Sequence, residues 1–283
     1  VVITGGSQGI GLSLAKHYLI LGNKVTIIAR NQNRLDEAVK YLSNFSNISN
    51  ILAISADVSS FDDINKAIEK TINHFGKIDV LVNCAGTSVA GAFDQLDLKS
   101  FEYLMNINYL GSVYPTRAVV PYMKSNRKGK IIFISSQVSQ VCIYGYTAYG
   151  ASKWAIRGFA EALSMELDDF GISVQVAYPP DTDTEGYKHE MLSKPSITKK
   201  ISESGHLFSS DEVALSLIKS SDLNYYSLYV GLDGWMLTQV HPGMSPVTNW
   251  GESLIQIAVS GICRIIGIFY IISWKQIIRQ SNR

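Results

Sequence analysis

Short apolar runs alternate along the chain with longer stretches in which apolar residues recur every three or four positions. The runs fall at 1–3, 24–29, 51–55, 80–83, 130–134, 172–177 and 228–231 and are rich in Val and Ile. Runs of that length, bounded by turn-forming residues, predict buried strands. Between them the helical period predicts helices over 9–21, 35–42, 60–74 and 101–123, and one carrying Tyr149 that runs on to 170. A further helix starts at the cap signature Ser209-Ser210-Asp211-Glu212. Strand and helix in alternation predict an α/β fold, a doubly wound parallel sheet with helices on both faces and right-handed crossovers. Residues 185–210 are polar and Lys-bearing, and no period assigns them.

The last apolar stretch differs in kind. Residues 254–274 are nearly all apolar, about the length that spans hydrocarbon. Arg264 sits at their centre, where an arginine costs ~2.5–3.5 kcal/mol on insertion scales. Trp250 and Trp274 bracket the stretch, and Lys275, Arg279 and Arg283 follow it, as at a membrane interface. Two shorter apolar halves lying in the interface, a hairpin, and a soluble helix packed on the core or across a dimer are all compatible with this pattern. The expected organisation is a catalytic domain over 1–250 and an apolar, membrane-associating segment over 251–283.

Composition narrows the classes. The chain has 283 residues, a net charge of +1 and 17% charged residues, so no broad field points to nucleic acid. Three widely spaced cysteines, Cys84, Cys142 and Cys263, form neither a disulfide framework nor a metal cluster, and no metal is expected. Reduced thiols fit a cytosol-facing domain. The chain starts at Val1 inside a core strand, so a fragment lacking its N-terminal segment is the expectation.

Chemistry enters at two places. The first strand runs into T-G-G-S-Q-G-I-G, residues 4–11, and a helix follows. Glycines let the backbone approach a pyrophosphate, and the helix N-terminus offers unpaired N–H groups, as in a Rossmann-type fold. The second strand ends in Arg30, with Arg34 close behind and no acid to hold a ribose 2′-hydroxyl. Arginines suit a 2′-phosphate, which favours NADPH over NADH. Asp57 stands where an adenine edge could be met, or caps the next helix. Asn83 ends the fourth strand at the ligand edge. Asn108 lies in a helix interior, where Asn usually points to solvent. Tyr149 and Lys153 are four apart on a helix and share a face, and a cation beside a phenol lowers its pKa. Asp181 and Asp183 follow the sixth strand. Either could pair with an ammonium or serve as a capping carboxylate.

Taken together, T-G-x-x-x-G-x-G, Asp57, N-C-A-G at 83–86, Asn108, Ser136, Tyr149-x-x-x-Lys153 and the turn opening at Pro179 resemble the short-chain dehydrogenases/reductases over residues 1–235. The resemblance implies Tyr149 as proton donor and Lys153 as its partner and ribose ligand. It implies Ser136, rather than Ser135, on the ketone oxygen, and Asn108 positioning a proton-relay water. Gly5, Ser7, Gln8, Gly9 and Ile10 would line the pyrophosphate turn. Arg30 and Arg34 would take the 2′-phosphate. Asp57, Val58, Asn83 and Pro179 would complete the cofactor site. A mobile substrate lid would occupy 185–210, and a homodimer would form through the Asn108 and Tyr149 helices. Within the family, N-I-N-Y-L-G, Y-P-P-D-T-D-T, D-G-W-M-L and G-M-S-P-V-T are similar to the branch that reduces 3-ketodihydrosphingosine. That branch implies a long-chain ketosphingoid base as substrate and an endoplasmic reticulum membrane location with the catalytic domain facing the cytosol. A microsomal steroid or retinoid oxidoreductase shares the same catalytic set, and a non-catalytic dinucleotide-binding scaffold is the reading outside enzymes.

Overall fold

The computed structural model describes residues 1–202 and 205–281. Arg283, expected to flank the apolar stretch, lies outside the described residues. Seven strands form one parallel sheet: β1 (Val2–Thr4), β2 (Val25–Ala29), β3 (Ile51–Ser55), β4 (Val80–Asn83), β5 (Gly129–Ile134), β6 (Ile172–Tyr178) and, after a two-stranded accessory pair, β9 (Ser227–Tyr229). Their order is β3-β2-β1-β4-β5-β6-β9. The accessory pair is β7 (Thr182–Asp183) and β8 (Phe208–Ser209).

Each strand is apolar on both sides because both faces are covered, as a parallel sheet requires. Successive residues therefore feed opposite cores. Val2, Ile28, Leu81, Ile131 and Phe133 pack with α3 (Phe61–Phe75), α5 (Gly111–Asn126) and α6 (Thr147–Leu167). Their neighbours Ile3, Ile27, Val82 and Ile132 pack with α1 (Gly9–Ile20), α2 (Gln32–Leu42) and α9 (Ser210–Asp222). Ile3, Ile27, Ile28 and Leu81 are fully buried, each worth about 1.5–3 kcal/mol of transfer free energy. These two cores fix the sheet, and the sheet's carboxyl edge carries the site.

The predicted helix over 101–123 is longer and interrupted. It comprises α4 (Leu98–Leu104), a π-helical segment (Met105–Leu110) and α5. A π turn inside an α-helix is a common feature of functional sites, and this one carries Asn108. The side chain does not point to solvent: Asn108 is fully buried. The segment that no period assigned holds α7 (Glu185–Ser193) and α8 (Ser196–Ser202). Ser209 and Glu212 form the expected capping box at the start of α9. The chain continues through α10 (Gly231–Val240) to α11 (Trp250–Ser281).

α11 is one uninterrupted helix, so neither the hairpin nor the two separate halves is found. Its glycines Gly261 and Gly267 do not break the hydrogen-bond ladder. By length and composition it is able to cross a membrane. One face meets α10 and α8. Ile257, Ile262, Ile265 and Phe269 are exposed.

Candidate active site

The glycine turn closes by backbone contact. Gly5 and Gly9 have φ of +68° and +53°, the left-handed region that side chains rarely adopt. A Cβ on Gly11 would stand 2.4 Å from the Gly5 carbonyl oxygen, so only glycine fits there. Gln8 precedes α1 in extended conformation and gives it no side-chain cap, which leaves N–H groups of the first turn facing the turn's concavity. The Thr4 hydroxyl accepts from the Cys84 and Ala85 amides, both at 3.1 Å, and ties the turn to the end of β4. Arg34 Nη1 donates to Gln8 Oε1 at 2.6 Å, bringing a guanidinium over the same turn. Arg30 is exposed at the end of β2. A backbone cradle that any Cβ would fill, an uncapped helix start and two arginines fit a phosphorylated dinucleotide.

From this turn a cleft of about 1520 Å³ runs along the sheet edge past Ser136 and Tyr149 to α11. Gly5, Ser7, Gln8, Gly9, Ile10, Arg30, Arg34, Val58, Ser136, Tyr149, Lys153, Pro179 and Asp181 all line it. Four expected residues do not. Asp57 turns back on the chain, its Oδ1 accepting from the Ser59 amide at 2.9 Å and hydroxyl at 2.8 Å; it caps a turn. Asn83 is 1% exposed and its Nδ2 donates to Thr116 Oγ1 at 3.0 Å, beneath the cleft. Asp183 is exposed on β7, outside the cleft. Asn108 is spent on scaffolding: Oδ1 accepts from the Thr87 amide at 2.9 Å, and Nδ2 donates to the Thr87 carbonyl and the Ser152 hydroxyl at 3.0 and 2.9 Å.

Ser136, Tyr149 and Lys153 converge. β5 delivers the two serines with opposite facing. Ser135 is buried against the Ser139 hydroxyl (2.8 Å) and the Lys153 carbonyl (3.1 Å), whereas Ser136 lines the cleft with Tyr149. Lys153 follows Tyr149 by one turn of α6, with Nζ 5.9 Å from the centroid of the Tyr149 ring. That ammonium donates to the Ile134 carbonyl at 2.9 Å. A Cβ on Gly86 would meet both Asn108 Oδ1 (3.2 Å) and Lys153 Nζ (3.3 Å), so glycine there lets carboxamide and ammonium close over the chain.

The electrostatics differ from the expected pattern. Burial pushes the Tyr149 phenol well above the usual range, the Glu190 and Asp181 carboxylates push it further, and the Ser136 hydroxyl acts the other way. Burial lowers Lys153 to about 8, with Cys84 acting weakly the other way. Desolvation outweighs the one-turn cation because the ammonium is itself buried. Cys84 is pushed up to about 12 by burial, which makes it an inert small residue rather than a nucleophile.

Three contributors escaped sequence reasoning. Glu190 and Lys194 lie on and just after α7, Tyr146 precedes α6, and all three line the cleft with Tyr149. The four-residue spacing of Glu190 and Lys194 was a readable signal for a helical pair. Arg264 also lines the cleft, with Tyr270 and Trp274 of α11.

The model of the short chain dehydrogenase family matches residues 1–193. The chain is 44% identical to a mouse 3-ketodihydrosphingosine reductase over 99% of this chain and 85% of that one. It is 43% identical to a zebrafish 3-dehydrosphinganine reductase with the same coverage. Among solved structures, a Sphingobium yanoikuyae short-chain dehydrogenase in complex with NADPH superposes with a TM-score of 0.70 at 27% identity, covering 81% of this chain and 86% of that one. With the glycine cradle at one end of the cleft and the Ser136–Tyr149 pair at its middle, the chain belongs to the short-chain dehydrogenase/reductase family of oxidoreductases.

Proposed function

We propose that this chain reduces 3-ketodihydrosphingosine to dihydrosphingosine with NADPH, a step of sphingolipid biosynthesis. The observation that carries the reading is the meeting of Ser136, Tyr149 and Lys153 on one cleft wall, with Lys153 Nζ 5.9 Å from the centroid of the Tyr149 ring, in a chain whose relatives bear that activity in their names. When bound, the nicotinamide dinucleotide supplies a hydride to the carbonyl carbon. Tyr149 gives its proton to the carbonyl oxygen as negative charge develops there, and Ser136 hydrogen-bonds the same oxygen. A phenol held above its usual pKa keeps that proton until the oxygen needs it. Lys153, its Nζ 5.9 Å from the centroid of the Tyr149 ring, binds the nicotinamide ribose. Asn108 is a positioning residue: through Ser152 and Thr87 it fixes the Tyr149 face of α6 to the loop after β4. Arg30 and Arg34 hold the 2′-phosphate.

The same reading includes the membrane. Residues 251–283 associate with the bilayer of the endoplasmic reticulum, and the domain over 1–250 faces the cytosol. The exposed isoleucines of α11 support this, as does its cleft face, where Arg264 lines the cleft with Tyr270 and Trp274. A central arginine on that face escapes hydrocarbon.

A panel of NADPH and NADH oxidation with 3-ketodihydrosphingosine, a ketosteroid and retinal tests the proposal. The expected result is turnover of the sphingoid ketone, with NADPH preferred at least tenfold and the preference lost in Arg34→Ala. Turnover of steroid or retinal alone would assign the other substrate class. Cofactor binding with no turnover of any ketone would make the chain a binding scaffold.

A further inference from the structure

The cleft holds polar groups that the reduction itself leaves without a role. Glu190 is 9% exposed and Lys194 4%. Glu190 Oε1 accepts from the Tyr146 hydroxyl and lies 3.4 Å from Lys194 Nζ. The same ammonium lies 3.4 Å from Asp181 Oδ2 and over the rings of Tyr146 and Tyr187, at 5.6 and 5.5 Å. Two carboxylates thus share one buried cation, and Asp181, its side chain 38% exposed, keeps an oxygen open towards the cleft. The pair lies beside the reacting phenol: the Tyr146 and Tyr149 ring centroids are 5.5 Å apart. Two carboxylates have more acceptor sites than one shared ammonium fills, which leaves room for a second cation.

An independent observation lies in the same cleft. Gln140 is 7% exposed and lines the cleft four residues after Ser136. Its Nε2 donates to Thr238 Oγ1 at 3.2 Å. The Thr238 hydroxyl gives its own proton to the Gly234 carbonyl at 2.8 Å, so towards Gln140 it can only accept, and this fixes which way the carboxamide is turned. The Gln140 Oε1 is then a buried acceptor with no donor among the described residues. Buried acceptors are nearly always paired, and an exception at a ligand cleft points to a donor on the ligand.

We propose that Glu190 and Asp181, held by Lys194 and Tyr146, seat the ammonium of an α-amino ketone, while Gln140 Oε1 accepts from an N–H or O–H of the same head group. The proposal rests on the reduction of 3-ketodihydrosphingosine put forward above, whose ketone is flanked by an ammonium and then a hydroxyl. Bound there, the ammonium offsets the two carboxylates that raise the Tyr149 phenol, so it eases proton donation as well as binding.

The test uses the full chain and three ketones: 3-ketodihydrosphingosine, its deaminated analogue and its 1-deoxy analogue. The wild type is expected to favour the amino ketone over the deaminated one by about 10- to 100-fold in kcat/KM, the value of one charge-assisted contact. Glu190→Gln, which keeps an acceptor for Tyr146, should bring that ratio close to one with NADPH affinity retained. Gln140→Met should erase the preference over whichever analogue lacks its donor. Asp183→Asn, outside the cleft, should change neither ratio. Equal losses on all ketones in Glu190→Gln, or no amino preference in the wild type, would overturn the subsite while leaving the reductase intact. A wild type that does not reduce 3-ketodihydrosphingosine at all would instead remove the reading on which the subsite rests.

Discussion

At the dinucleotide end of the cleft the wall is main chain; at the opposite end it is side chains brought from separate elements. Gly5, Gly9 and Gly11 shape the first by what they lack, within seven residues between β1 and α1. Tyr146, Gln140, Asp181, Glu190 and Tyr270 shape the second from five places in the chain. A backbone cradle accepts a part common to many ligands, a pyrophosphate, and tolerates little change. A side-chain wall is where one member of a family can differ from another without disturbing the fold.

The sharpest way to break this contrast is at the main-chain end. Gly11→Ala forces a methyl to 2.4 Å from the Gly5 carbonyl, where neither partner is a flexible side chain. Strain of about 1–3 kcal/mol or more should weaken NADPH binding, followed by fluorescence titration, by roughly 10- to 100-fold. The control Gly158→Ala, with nothing among the described residues within 4 Å of its new methyl, should bind as the wild type does. Equal affinity in both variants would show that the turn is not the cradle.

A smaller effect is expected at Lys153, where the two ends meet. Its folded pKa is lowered to about 8 from 10.5, so between those values the unfolded chain binds more protons than the folded one. Stability from this group therefore rises with pH across that window, and below it the buried charge is a penalty. Relative to Lys153→Met, the wild type should gain roughly 4–8 °C in Tm between pH 8 and 10, from about 2 kcal/mol of linkage. Parallel melting curves for the two proteins would contradict a lowered Lys153.

Legibility in the sequence follows the same divide. The strands and the glycine turn were readable because a parallel sheet writes itself as short β-branched runs and a phosphate turn as local glycines. The choice of Ser136 over Ser135 rested on the spacing to Tyr149 that the family resemblance implies, with strand alternation setting the two serines on opposite faces. Asn108 was misread because helix statistics describe exposed surfaces, whereas this residue bridges α6 and the β4 loop from inside a π turn. Asp57 and Asn83 had the right addresses but face a turn and the core, and spacing alone does not set which way a side chain points. The expected acidification of Tyr149 failed because pair spacing carries no information on burial, and here burial dominates both partners. Glu190 and Gln140 gave little signal, since their surroundings are assembled only when α7 and α10 fold over the sheet edge. α11 was legible in length and apolarity, but not in its being unbroken or in lending one face to the cleft.

The central claim is that the Tyr149 phenol supplies the proton, and one measurement meets it directly. Single-turnover oxidation of NADPH by Tyr149→Phe with 3-ketodihydrosphingosine is expected to slow by about 10²- to 10⁴-fold, with NADPH affinity unchanged. A variant that turns over at the wild-type rate would contradict the assignment and move the proton source elsewhere in the cleft.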